Sequence, residues 1–274
     1  MPVFQNITFE GIEGIRVGKT NRALNTTCIV YRLGNTIIDT GPSNQWLYVK
    51  KFVDEREVDR VMITHHHEDH SGNGARLKES LDAPVFLPPS GLAMMKKGFN
   101  LSYAQKRTWG LATPFEAEAV PDDIPIHDGI TLQSVHAPGH SHDMTCYLEA
   151  NRGWLFCGDV YIASRTKYFR FDENIHQQIS SLKRCLELDF ETLICSHRGP
   201  LTDGRRRIRE KLDYLSNFRE QVLDFHEQGV SVKEITTRML GNEDKMRWIS
   251  LGKFMKRHIV RSCLEDNVET TAKR

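Results

Sequence analysis

Residues 64–72 read THHHEDHSG, which puts four histidines and two acids into the six positions from His65 to His70. A solvated polar loop could accommodate such a run. The residues just before it, VDRVMIT (58–64), are apolar and partly β-branched, and predict a short buried strand. The cluster therefore leaves the C-terminal end of a strand and enters a loop. Imidazole nitrogens and carboxylates are main ligands of zinc and similar cations, and His65-x-His67-x-Asp69-His70 offers four of them. His65 and His67 project to one side of extended chain, while Asp69 and His70 fall where the chain turns into a helix. Two ligands can then face one ion and two a second ion about 3.5–4 Å away. A pair of ions needs more donors than this segment holds.

The remaining chain offers them at comparable places. His140 follows a strand in APGHSHD, Asp159 closes GWLFCGD, and His197 closes ETLICSH, each with a glycine nearby that lets backbone bend close to a ligand. The intervals from His70 are 70, 19 and 38 residues. One histidine at a strand end means little, but four such points in order are specific. The other histidines, His66, His127, His136, His142, His176, His226 and His258, read as structural or exposed, with His142 kept as a pocket candidate because it lies two residues beyond His140.

The 274 residues suffice for one large domain or one with a small appendage, and 39% hydrophobic with 27% charged residues suits a globular chain. No apolar run reaches about 18 residues, so no membrane span is expected. The start MPVFQNITFE has neither a basic nor an apolar leader region, which predicts a cytoplasmic protein. Six scattered cysteines without a Cys-x-x-Cys pair read as small buried hydrophobes or incidental surface thiols rather than disulfides. Residues 204–274 carry 16 basic against 11 acidic side chains, whereas 1–203 carry 21 against 25, which hints at an anionic partner for the C-terminal part.

TTCIVYRL and NTIIDTG predict two strands joined at Gly34-Asn35, followed by a helix from Pro42 to about Asp54. A helix from Ser71 to about Leu81 and a strand in APVFLPP come next. Residues 90–116 mix Met94, Met95, Phe99, Tyr103, Trp109 and Phe115 with lysines and an arginine, and read either as two short helices covering a pocket or as an insertion packed on the core. ITLQSVHAPGH, MTCYLEA and GWLFCGD predict three strands, NIHQQISSLKRCLEL a helix and ETLICSH a last strand. After Gly204 the pattern is helical: Ile208, Leu212, Leu215, Val222 and Phe225 mark a long helix capped by Asp203, SVKEITTRML a second, and WISLGKFMKRHIVRSCL a third. The expected organisation is a catalytic domain over 1–203 and a helical domain over 204–274. The latter faintly resembles a winged-helix core but lacks a basic recognition helix.

With these residues in place, the chain resembles the metallo-β-lactamase fold superfamily, whose signature is His-x-His-x-Asp-His followed by a later His, Asp and His. The similarity covers residues 20–200 and lies with the glyoxalase II-like and lactamase-β-like branch. It implies an α/β fold, the αββα sandwich of two packed mixed sheets flanked by helices. It also implies that His65, His67 and His140 hold one divalent ion, that Asp69, His70 and His197 hold another, that Asp159 bridges both, and that Asp39 of IDTG supports the ligands from behind. Zinc is the expected metal, with iron or manganese as alternatives.

A hydroxide bridging two such ions is a nucleophile at neutral pH, and Asp69 is the expected catalytic carboxylate. The implied reaction is hydrolysis of a small-molecule ester, thioester or lactone. The alternatives are a single-strand-specific endoribonuclease or phosphodiesterase and a regulatory protein with a vestigial site. An aspartate at 159, where β-lactamases often have cysteine or histidine, argues against antibiotic hydrolysis. Tyr103 and Trp109 from the aromatic segment, His142, and Lys167, Tyr168 and Arg170 from SRTKYFRF (164–171) are candidate substrate contacts, in a pattern that would also suit stacked bases and phosphates. The tail is expected to pack beside the active site, with a homodimer as a further expectation and no membrane partner.

Overall fold

The strand Thr27–Leu33 is buried along its whole length, and its two faces enter different layers: Ile29, Tyr31 and Leu33 meet a second sheet, whereas Val30 meets helices. A strand apolar on both faces needs a cover on each. The computed structural model describes residues 3–21, 23–126 and 129–265, and repeats this arrangement throughout. His127 lies outside the described residues.

The first sheet runs β1 (Val3–Phe9), β2 (Ile12–Gly18), β3 (Thr27–Leu33), β4 (Thr36–Ile38), β5 (Arg60–Met62), β6 (Val85–Leu87) and β7 (Glu118–Ala119), hydrogen-bonded in that order. Its first four strands are antiparallel, and β5 to β7 add in parallel. Helices α1 (Trp46–Val53) and α2 (Gly74–Ser80) make the crossovers, and α3 (Leu92–Lys97) and α4 (Tyr103–Trp109) follow β6. The chain continues through β8 (Asp123–Pro125), β9 (Thr131–His136), β10 (Thr145–Glu149), β11 (Trp154–Gly158), β12 (Phe169–Arg170), α5 (Ile175–Glu187), β13 (Thr192–Cys195) and β14 (Gly199–Leu201). The second sheet has the order β14-β13-β11-β10-β9-β8.

Between the sheets lie Ile38 and Met62 from one side and Tyr147, Trp154, Phe156 and Ile194 from the other. Alternate residues of β10, β11 and β13, namely Cys146, Leu148, Leu155, Cys157, Leu193 and Cys195, turn outward to α5 and the C-terminal helices. The period of two along each strand thus separates two apolar layers, and the fold is the expected αββα sandwich. All six cysteines are free and buried, as small hydrophobes.

After β14 come α6 (Gly204–Glu227), α7 (Val232–Leu240), α8 (Met246–Ile249), β15 (Phe254–Met255) and α9 (Lys256–Leu264). The single third helix expected over WISLGKFMKRHIVRSCL is broken, because Leu251 (φ 52°) and Gly252 (φ 80°) take left-handed backbone. The released residues form β15, which pairs with β12. Asp203 does precede α6, but its carboxylate is engaged by Arg206 and Arg207 instead of capping the helix. The buried stripe of α6 is Ile208, Lys211, Leu215, Phe218 and Val222. It shares one apolar layer with the second sheet, apart from Lys211. Among the described residues no helix is long and apolar enough to cross a membrane.

Gly72 ends the histidine loop where three backbone segments meet. A Cβ there would fall 2.4 Å from the Glu68 carbonyl oxygen, 2.7 Å from the Ser43 nitrogen and 2.9 Å from the Gly41 carbonyl oxygen. Backbone on three sides cannot swing away as a side chain could, so Gly72→Ala is expected to lower stability by about 2 kcal/mol, read as a shifted urea midpoint at unchanged slope.

Candidate metal centre

Five strands end at one place. β4 delivers Asp39, β5 the loop His65–His70, β9 His140, β11 Asp159 and β13 His197, so both sheets contribute. His65 Nε2 and His140 Nε2 each lie 3.0 Å from His67 Nδ1, which brings three ring nitrogens to one point. On the other side, Asp69 Oδ2 is 3.9 Å from His70 Nε2 and 3.7 Å from His197 Nε2. Asp159 stands between the groups. Its Oδ1 is 3.4 Å from His70 Nε2 and 3.1 Å from His197 Nε2, while its Oδ2 is 3.2 Å from His140 Nε2. The seven side chains named from the sequence therefore converge, across 132 residues of chain.

The rings are aimed by what lies behind them. Asp39, fully buried, accepts hydrogen bonds from Thr64 N (2.9 Å), Thr64 Oγ1 (2.9 Å), Ser196 Oγ (2.9 Å) and His70 Nδ1 (2.7 Å). The last of these leaves His70 Nε2 facing the cluster. His197 Nδ1 donates to the Thr27 carbonyl at 2.5 Å and so presents Nε2. Glu173 Oε2 stands 3.5 Å from His140 Nδ1.

Charges divide the cluster in two. Burial and the neighbouring His70 hold His65 well below the usual histidine range, and burial and Arg170 do the same for His67. Burial also works against His140 and His197, but Glu173 and Asp159 carry the first up to about 9, and Asp159 and Asp69 carry the second up to about 9. Asp159 is held well below the carboxylate range by His197, His70 and His140, although burial alone would raise it. The buried atoms His70 Nε2 and Asp159 Oδ1 have no hydrogen-bond partner. Convergent nitrogens, carboxylates between them and orphaned polar atoms at the centre are a donor set that fits divalent cations.

A cavity of about 360 Å³ opens beside Asp69, His140, Asp159 and His197. Of the candidate substrate contacts, Trp109, Lys167, Tyr168 and Arg170 line it. Tyr103 does not: α4 turns Gln105 inward to Glu68 (2.8 Å), which leaves Tyr103 72% exposed on the other face. His142 also lies outside the lining, because its neighbour Asp143 is drawn in to the His66 nitrogens (2.8 Å each) and His142 is turned out to the Ser90 carbonyl at 3.0 Å. Segment 90–116 does both things expected of it. Ser102, Gln105, Thr108 and Trp109 face the cavity, while Met95 and Phe115 join the core under the first sheet.

Three buried or half-buried groups in the lining are not singled out by the sequence reading. Glu68, inside the histidine run, is raised by burial against the pull of Arg170, whose guanidinium is 3.9 Å away. Glu173 also holds Gln178 Nε2 at 2.8 Å. Lys211 sits on the apolar stripe of α6 and donates to the Val160 carbonyl at 2.7 Å. The apolar stripe drawn from the sequence runs through Leu212, so its periodicity gives no signal for Lys211.

Residues 21–197 match the model of the metallo-beta-lactamase superfamily. A Drosophila melanogaster "beta-lactamase-like protein 2 homolog" is 26% identical over 212 residues, 70% of this chain and 64% of that protein. A hydroxyacylglutathione hydrolase from Aeromonas salmonicida is 27% identical over 178 residues, 61% of this chain and 62% of that protein. The matched stretches thus span less than two thirds of either relative. Among solved structures, a beta-lactamase domain protein from Burkholderia ambifaria superposes with a TM-score of 0.72 at 18% identity, over 95% of this chain and 87% of that one. A metallo-beta-lactamase family protein from Thermus thermophilus gives 0.67 at 18% identity, over 93% and 91%. Such identities speak for the fold alone. The family match, which runs from the approach to β3 through His197 and so takes in all five strand ends, makes the chain a member of the metallo-beta-lactamase superfamily.

Proposed function

We propose that the protein is a dinuclear metal-dependent hydrolase of a small-molecule ester, thioester or lactone. His65, His67 and His140 would hold one divalent ion and Asp69, His70 and His197 the other, with Asp159 shared. The observation that carries this reading is the placement of Asp159 between the two groups, its Oδ2 3.2 Å from His140 Nε2 and 3.3 Å from His197 Nε2 and its Oδ1 toward His70 and His197. Zinc is the first choice, and nitrogen–oxygen donors also suit iron or manganese. When bound, such ions polarise a carbonyl oxygen and lower the pKa of water to about 7.

The chain's own residues supply the rest. Asp69, on the cavity floor, orients the attacking water and takes its proton. Trp109 and Tyr168 give the cavity apolar wall, and Arg170, held by Asp172 at 3.1 Å, gives it fixed positive charge. In this reading 1–203 is the catalytic unit, and 204–274 is a helical unit that closes the cavity with Lys211, Met246 and Ile249. The relatives named hydroxyacylglutathione hydrolase support an acyl bond as the target. A phosphodiester is the second reading, supported by Arg165, Lys167 and Tyr168 along one wall.

A panel of thioesters, lactones, phosphodiesters and RNA, offered to metal-reconstituted protein, should show acyl hydrolysis that falls at least about 100-fold in Asp69→Asn. Unchanged activity in that variant would remove the mechanism. Raising ionic strength separates the two substrate classes: binding of an ester, thioester or lactone with at most one or two charges should fall only shallowly with salt, whereas a polyanionic nucleic acid would be lost steeply. Metal uptake should also move protons. With folded-state values of about 9, His140 and His197 are charged in the metal-free protein at pH 7.5, yet each must be neutral to ligate. Metal titrations at pH 7.5 in buffers of different ionisation enthalpy should therefore show release of about two protons or more, and the contribution of these two rings should vanish above about pH 10. Uptake without proton release at pH 7.5 would show either that these rings are already neutral in the metal-free protein or that they do not ligate, and His140→Ala and His197→Ala metal stoichiometries separate the two.

A further inference from the structure

We propose that Lys211 binds an anionic group of the substrate, so that the molecule taken by the cavity carries a carboxylate or similar oxyanion besides the bond that is cleaved. This deepens the hydrolase reading and rests on the cavity being the substrate site.

Three observations carry the inference. Lys211 falls in the 208, 211, 215, 218, 222 stripe of α6, where every other member is apolar, and it is only 5% exposed. A buried ammonium is expensive unless paired, and no carboxylate lies within salt-bridge distance of it among the described residues. Its one hydrogen bond goes to the Val160 carbonyl (2.7 Å), which leaves two of its three N–H groups without a partner among the described residues. Lys211 nonetheless borders the cavity, together with Asp159, Glu173 and His197. The strongest cation elsewhere in the wall, Arg170, is already engaged by Asp172 and faces Glu68. Lys211 is therefore the buried cation with capacity to spare. A lysine whose only task was to pin the Val160 carbonyl would use one donor and need no access to the cavity.

The test uses two pairs of unreactive amides with the metal-loaded protein. Hexanoyl-β-alanine and hexanoyl-β-alaninamide differ only in a charge on the leaving-group side, and the N-propyl monoamide of adipic acid and its primary amide differ only on the acyl side. Calorimetry on the wild-type protein should show at least about ten-fold tighter binding of the carboxylate in one pair, the scale of one charge-assisted hydrogen bond. In Lys211→Met that ratio should fall to within about two-fold. Equal affinities within both pairs for the wild-type protein would overturn the proposal. So would a preference that survives the substitution, since it would then belong to the bound ions or to Lys167 and Arg170. If Lys211→Met does not fold, Lys211→Gln retains a donor for the Val160 carbonyl and removes the charge, and the same ratio decides. Hydrolysis of a hexanoyl thioester by the same wild-type preparation is scored separately. Its absence counts against the hydrolase reading, whereas its presence with equal amide affinities counts against Lys211 alone.

Discussion

A carboxylate with no exposure at all, Asp39, ties the two halves of the sandwich to a single point. Removing a carboxylate from water is costly, and only a full set of donors offsets it. Thr64 supplies two from the loop leaving β5, Ser196 one from the end of β13, and His70 one from the far end of the histidine run. Asp39 itself takes left-handed backbone (φ 61°), a conformation that a non-glycine residue keeps only where its surroundings enforce it. Moving any one of these loops would strand the buried charge. The same bond that anchors His70 also sets which of its nitrogens faces inward, so packing and ligand geometry are one constraint.

The behaviour of the centre follows from that rigidity. Three imidazoles surround Asp159, and two more, His65 and His67, are held neutral beside His140, with His65 also packed against His70. Without cations, protons on His70, His140 and His197, each drawn upward by neighbouring carboxylates despite its burial, balance the buried acids. Cations would take over the same role with directional bonds. Protons and metal are alternative ways of neutralising one fixed arrangement of acids, which is why the cluster can be buried in either state.

Much of this is readable from the residues, for a physical reason. Most donors follow closely on an apolar run, TII before Asp39, RVMIT before His65, WLFCG before Asp159 and TLIC before His197, and strands declare themselves by such runs. His140 is separated by three residues from the mixed strand TLQSVH. His65–His70, His140, Asp159 and His197 can therefore be placed at strand ends before any coordinates, and Asp39 with them. What the residues do not reveal depends on neighbours distant in sequence. Tyr103 and His142 read as facing the cavity, but Gln105 and Asp143 compete for the inward direction through partners 37 and 77 residues away. The broken third helix after Trp248 turns on left-handed backbone at Leu251 and Gly252, which helical periodicity does not report. Lys211 reads as one more surface charge, because apolarity alone draws the stripe of α6 through Leu212 instead of through the lysine.

The convergence of five strand ends has a consequence for how the protein comes to be. No subset of the chain shorter than His65 through His197 contains both halves of the cluster, and the outer apolar layer is completed only by Ile259, Val260 and Cys263 of α9. Contacts between such remote segments form late, after most loop-closure entropy has been spent. A cation captured by the full donor set would bind the native state and not its precursors, and would deepen the native well in proportion to the logarithm of its free concentration. Occupancy of the centre would thus serve as a built-in assay of whether folding has finished.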